Sequence, residues 1–271
     1  MKGFIVRQLH NLGNRVRIKN DIGLWVIASL LFALPSCTSK TIELNSPPIS
    51  EYFIAQPGKY ILYKVDSTVP TRFGADTTVR SYQAKDEVDA EVMDALGRKA
   101  YRVFRYMRNA TGTDAFLPAH TFLAVPQQTD WLEWIENNLR FMKLRFPIQE
   151  GFSWKGNSFI DVSSINSPVR YLADWEYTYQ NVGAPFTING KTYPNTITIL
   201  QRDEVLPEGP FNPSFFKQWD YSIEVYAAGV GLIYKNFDHK IWQPPLPPPD
   251  ARPGYWEDGS YRIVLSALDH N

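Results

Sequence analysis

The sequence predicts an all-β protein, an antiparallel meander forming a strongly curved sheet or half-barrel with one or two short helices. Three observations predict it. Around ten runs rich in β-branched and aromatic residues recur along residues 57–271, with Gly, Asn, Asp and Pro between them. No long amphipathic helix separates these runs, which argues against βαβ units. Aromatic residues make up 14% of the chain, with 8 Trp, 15 Tyr and 16 Phe. Side chains of that size fill the concave side of a curved sheet.

Composition excludes several classes of function. The 271 residues carry 28 Lys+Arg and 28 Asp+Glu. A chain without surplus positive charge is not built to neutralise phosphates, so nucleic acid is excluded as a partner. With 44% hydrophobic residues the chain can bury a core. Its one cysteine rules out an intramolecular disulfide and a multi-thiolate metal site.

The N-terminus reads as an address. Lys2, Arg7, Arg15, Arg17 and Lys19 stand against Asp21, and the apolar run Ile22–Ala33 follows. A basic start before a short apolar stretch is the pattern of a secretory signal. About a dozen apolar residues fall short of the roughly 20 that span a bilayer. The run ends Leu34-Pro35-Ser36-Cys37. This resembles a bacterial lipobox, with an apolar residue at −3, a small one at −1 and then the cysteine, although Pro35 departs from the commonest pattern. The resemblance implies a signal peptide over 1–36, cleavage before Cys37, and acylation at Cys37. The membrane is then a partner through Cys37. Thr38-Ser39-Lys40 has neither the aspartate of an inner-membrane retention signal nor the acidic run of a surface-export signal in Bacteroidota lipoproteins. By that resemblance the anchor lies in the outer membrane and faces the periplasm. From Cys37 onward the net charge is about −4, which favours solubility.

Residues 37–56, with Asn45-Ser46-Pro47-Pro48, read as a flexible tether. Residues 57–271 read as one domain, since no linker divides them. Strand-forming runs cover Tyr60–Asp66, Thr77–Val88, Lys99–Met107, Leu139–Phe146, Trp175–Tyr179, Asn195–Arg202, Tyr221–Ala227, Gly231–Phe237 and Tyr261–Ala267. In Lys99–Met107, alternation sets Tyr101, Val103 and Arg105 on one face. In Leu139–Phe146 it groups Leu139, Phe141, Lys143 and Arg145. Trp131–Asn138 and Phe211–Asp220 are expected as short helical turns. Asn189-Gly190 sits between two β-type runs and predicts a type I′ hairpin. Ala228-Gly229 predicts a second, with a bulge at Gly229 or Gly231. Leu96-Gly97-Arg98-Lys99-Ala100-Tyr101 and Asn189-Gly190-Lys191-Thr192-Tyr193 echo one another, as two related halves would. Gln243–Pro249 carries a polyproline signal, read as a stiff surface loop pinned by Trp242, Tyr255 and Trp256.

The segments Asn137–Pro147, Gly151–Asn157 and Glu224–Lys235 resemble uncharacterised Bacteroidota-type lipoproteins. That resemblance indicates a family type and no activity.

No chemical motif stands out. His120, His239 and His270 have no second His or Cys at metal-ligand spacing. His239 reads as a strand-end or surface histidine, and His270 as frayed at the terminus. Asp86, Glu87, Asp89, Glu91 and Asp94 read as a solvated strand face beside Lys85, Arg98 and Lys99, since no calcium-loop pattern accompanies them. Gly151-Phe152-Ser153-Trp154-Lys155-Gly156 lacks the spacing of a nucleophile elbow. No catalytic residue, cofactor or metal is predicted. Trp175, Tyr177 and Tyr179, on one strand face, read as sheet filling, with a concave aromatic site for a glycan or lipid as the alternative. The expected function is therefore a lipid-anchored envelope protein of binding or structural type, with a protein, glycan or lipid as its unknown partner. The alternative is a half-barrel carrier of a lipid or other hydrophobic ligand.

Overall fold

The computed structural model describes residues 45–127, 130–164, 167–249 and 251–271. Cys37 and the leader lie outside the described residues. The strands are β1 (Tyr60–Thr71), β2 (Asp76–Met93), β3 (Lys99–Asn109), β4 (Leu117–Gln127), β5 (Trp131–Glu136), β6 (Leu139–Arg145) and β7 (Ser153–Trp154). They continue as β8 (Tyr177–Ile188), β9 (Lys191–Leu206), β10 (Lys217–Ala227), β11 (Gly231–Gln243), β12 (Tyr255–Trp256) and β13 (Tyr261–His270). All pairs are antiparallel, in the order β6-β5-β4-β3-β2-β1-β13-β11-β10-β9-β8-β7, with β12 paired to β11 alone. The predicted meander is thus observed. The paired echo segments fall at the β2–β3 and β8–β9 turns. In each run of six strands that is the hairpin joining the second strand to the third.

The sheet curls until its ends meet, and side chains close the gap. The Tyr179 hydroxyl accepts from the Arg145 amide and donates to the Arg145 carbonyl, both at 2.9 Å. The Trp154 indole N–H donates to the Met142 carbonyl at 2.9 Å, and the Met142 amide donates to the Gly156 carbonyl at 2.8 Å. These bonds satisfy the outer edge of β6, which would otherwise leave buried polar groups unpaired. Gly156 is required here, because a Cβ would stand 2.3 Å from the Tyr177 ring.

Antiparallel alternation defines two ends of the barrel. The β10–β11 and β8–β9 turns share the lower end, and the β1–β2 and β5–β6 turns share the upper one. The second half of the expected tether is docked at the lower end. Ser46 Oγ donates to the Ile148 carbonyl and accepts from its amide. Ile49 and Tyr52 are buried. The Gly229 amide donates to the Glu51 carbonyl at 2.7 Å. Phe53 packs edge-on against Tyr101 and Trp134. These apolar anchors are spaced among Pro and Ser, which hid them in the composition. At the upper end, residues 155–164 and 167–176, between β7 and β8, lie over the opening and bury Ile160, Leu172 and Trp175.

Several expectations are corrected. Trp131–Glu136 is strand, not helix, because Leu132 and Trp134 face the interior while Glu133 receives Arg98 and the Trp131 indole. Phe211–Phe216 is loop, and Lys217–Asp220 belongs to β10. The only helical pieces among the described residues are 3₁₀ turns at Ile49–Glu51 and Arg170–Leu172. Asn189 and Gly190 adopt the positive φ values of the predicted hairpin, 51° and 77°. The β10–β11 bulge falls between Val225 and Tyr226, not at the glycines. Trp242 pairs with Trp256, Arg252 lies over Tyr255, and Leu246 bridges Arg252, so the proline-rich segment is a pinned loop.

Tyr179→Phe removes both bonds to Arg145 and leaves its amide and carbonyl without a partner at the seam. Urea denaturation is expected to show a loss of about 2 kcal/mol, with far-UV circular dichroism of the folded baseline unchanged.

Candidate functional site

The candidate site is the barrel interior. Inward positions of successive strands build it, and most are apolar: Val88, Val103, Leu132, Trp134, Phe237 and Leu265 are examples. Midway between the ends, the same inward frame places charged residues. Asp86 and Arg105 sit directly opposite each other on β2 and β3, and form a two-point ion pair at 2.6 and 2.7 Å. Glu224 and Lys235 are likewise opposite each other on β10 and β11. Glu224 takes Lys143 Nζ at 2.6 Å and the Tyr226 hydroxyl at 2.8 Å. Lys143 belongs to β6, so this ion pair crosses from one end of the strand order to the far half.

The belt separates two compartments. The lower, of about 130 Å³, is closed by Phe53, Ile54 and Val230. The upper, of about 680 Å³, lies beneath residues 159–161 and 167–175 and is walled by Phe141, Phe159, Tyr171, Trp175, Phe237 and Tyr261. Glu136, Lys143, Lys235 and Ile263 line both.

Electrostatics follow from burial and neighbours. For Glu224, burial alone would raise the carboxyl pKa. Lys143 and Lys235, with hydrogen bonds from Lys143 and Tyr226, outweigh it and hold the group below its ordinary value of 4.5. For Lys235, burial and then the Lys143 charge lower the ammonium pKa, and Glu136 and Glu224 offset this only in part. The Tyr226 hydroxyl is pushed well up, first by burial and then by Glu224.

The residues singled out in the sequence have varied places. Tyr101, Val103 and Arg105 do share the inward face, and Val103 and Arg105 line the lower compartment. Leu139, Phe141 and Lys143 line the upper one. Trp175, Tyr177 and Tyr179 are buried as a group, and the first two also wall the upper compartment. The acidic run resolves into separate pairs: Asp86 with Arg105 inside, and Lys85–Glu87, Arg102–Asp89, Lys99–Glu91 and Arg98–Asp94 elsewhere. Among the described residues no three His, Cys, Asp or Glu side chains converge as a metal site would require.

His239 is not a surface residue. It is buried in β11, its Nδ1 lies 2.5 Å from Asp220 Oδ1, and its ring stacks on Tyr171 at 3.8 Å. Its carboxylate partner is therefore Asp220, directly opposite on β10, and not its chain neighbour Asp238. His270 is not frayed, since it ends β13 opposite Ile61 and contacts Lys191. His120 is exposed on β4. Sequence reasoning missed Glu224, Lys235 and Gln201. A signal was present in Tyr221–Ala227, where Glu224 shares an alternating frame with Ser222 and Tyr226 inside an otherwise apolar strand.

No protein-family model matches this chain, and no curated protein matches it in sequence. Two solved structures were compared. One is an outer membrane lipoprotein-sorting protein domain from Vibrio parahaemolyticus, 10% identical, with TM-score 0.16 over 79% of this chain and 85% of that one. The other is a DUF1329 family protein from Desulfovibrio piger, 8% identical, with TM-score 0.16 over 80% and 87%. A TM-score of that size transfers neither fold nor function.

Two outcomes follow from the belt. Lys235→Met removes a half-buried cation that lies beyond hydrogen-bond distance of Glu224, while Glu224 keeps Lys143 and Tyr226. Urea denaturation at neutral pH is expected to show a gain of about 1 kcal/mol. Glu224 has a depressed folded pKa, so its contribution is full above pH 4.5 and is lost as pH falls through the lower folded value. Stability measured through that acid range is expected to fall more steeply for the native protein than for Glu224→Gln.

Proposed function

We propose that this protein is a lipid-anchored protein of the bacterial envelope that binds and carries an amphipathic ligand inside its barrel. The observation that carries this reading is the upper compartment of about 680 Å³ with its aromatic wall. Its size and lining suit one ligand of moderate size, apolar over most of its surface and polar at one point. The charged belt supplies that polar point. The reading is of a carrier and not an enzyme. Most belt charges are engaged with one another, and the one buried His–Asp pair has a tyrosine ring stacked on its imidazole.

On this reading Cys37 carries the acyl anchor. Seven residues separate it from Asn45, a reach of at most ~28 Å over eight Cα–Cα steps. Because residues 46–53 dock at the lower end, that end is held near the membrane, and the compartment behind Phe53 faces it. Several chains on one cysteine give stable attachment where a single chain does not.

Native mass spectrometry of gently purified protein tests the carrier. A noncovalent, lipid-sized adduct is expected, and a bare mass from fresh envelope preparations counts against the reading. Separately, Cys37→Ala is expected to abolish incorporation of labelled palmitate. Labelling that persists in that variant would sink the anchor.

A further inference from the structure

We infer that the ligand is an amphiphile with a zwitterionic head group, its anionic part held by Lys235 and Gln201 and its cationic part by Glu136. The inference deepens the carrier reading and rests on it.

It begins from what the belt leaves unmatched. Asp86 with Arg105, and Lys143 with Glu224 and Tyr226, are satisfied among themselves. Three groups facing the same space are not. The nearest acid to Lys235 Nζ is Glu224 Oε1 at 3.8 Å, too far for a hydrogen bond. The Glu136 carboxylate lines both compartments and has no side-chain hydrogen bond or ion pair among the described residues, although its charge acts on Lys235 and Arg105 from a longer distance. Gln201 lines the upper compartment and is 2% exposed, yet its Nε2 has no partner. Its Oε1 is taken by the Ser222 hydroxyl at 2.6 Å. Reversing the amide exchanges the two ends and still leaves one unpartnered.

Of the three, only the Gln201 amide is fully buried without a partner, which is costly unless something else completes it; Glu136 and Lys235 are half-buried and present their charges to the compartments. The unmatched set consists of two donors, one of them cationic, and one anionic acceptor. A fatty-acid carboxylate would answer Lys235 and Gln201 but bring a second negative charge toward Glu136. A cationic amphiphile would answer Glu136 and repel Lys235. A head group carrying both signs answers all three, through charge-assisted hydrogen bonds. The lower compartment, of about 130 Å³, is much smaller than the upper, of about 680 Å³. The apolar part of the ligand is therefore placed in the upper compartment.

The test compares three probes of equal chain length, each below its micelle concentration, by tryptophan fluorescence of the purified protein at neutral pH. The probes are lauroyl lysophosphatidylethanolamine, laurate and dodecyltrimethylammonium. The zwitterion is expected to bind about tenfold more tightly than either single-sign probe. Glu136→Gln should abolish its advantage over laurate. Lys235→Gln should weaken the zwitterion and laurate alike by about tenfold and spare the cationic probe. Far-UV circular dichroism verifies the fold of each variant, and Lys235→Met, expected to be more stable than the native protein, repeats the second comparison. Equal affinity for all three probes, or tighter binding of laurate, overturns the head-group inference and leaves the carrier reading standing. Saturable binding of none overturns both.

Discussion

Twelve strands in a row bury their concave face only if the first and last edges find each other. Here they meet without a continuous β-ladder. Tyr179 offers one hydroxyl to both polar groups of Arg145, Trp154 offers its indole to Met142, and a single backbone bond joins Met142 to Gly156. The rest of the molecule depends on that closure. It converts a curved sheet into an enclosed space, and it brings Lys143 on β6 within reach of Glu224 on β10. Side-chain closure also accounts for the very short β7, because two residues of ladder suffice where aromatic donors complete the edge.

The enclosed space is amphipathic, which is unusual for a barrel core filled only to be stable. Paired charges in a low-dielectric interior add little net stability compared with apolar side chains of similar volume. Their presence at mid-height is better understood as specifying what occupies the interior. Two of the charged pairs are set by strand register, Asp86 against Arg105 and Glu224 against Lys235. Their position is therefore as rigid as the sheet itself. The coverings differ in kind from the walls. Both the segment around Phe53 and residues 155–164 and 167–176 are largely irregular backbone, held by individual anchors such as Tyr52 and Leu172 rather than by ladders. Segments of that sort open at lower free energy than a sheet core, so ligand entry is expected at the ends and not through the wall.

Much of the fold was legible in the residues. Alternation located most of the long strands, and Asn189-Gly190 fixed one hairpin, because positive φ at two successive residues has few other solutions. The misreadings have local causes. Trp131–Glu136 has the composition of a short helix, and only its neighbours β4 and β6 decide that it alternates as a strand. β4 escaped notice because Pro118 and Pro126 interrupt it. His239 looked peripheral because its true partner, Asp220, is nineteen residues away along the chain and adjacent only across the β10–β11 ladder.

The sequence by itself determined the all-β class, the meander, the hairpin positions and the inward frame of strands such as Lys99–Met107. These depend on local preference and period-two alternation, which neighbouring residues carry. Tertiary structure alone decided the closure, the docking of residues 45–56, and the charged belt with its unmatched Lys235, Glu136 and Gln201. Each of these needs groups far apart in the chain to meet, and alternation shows which way a side chain faces without showing what it will face.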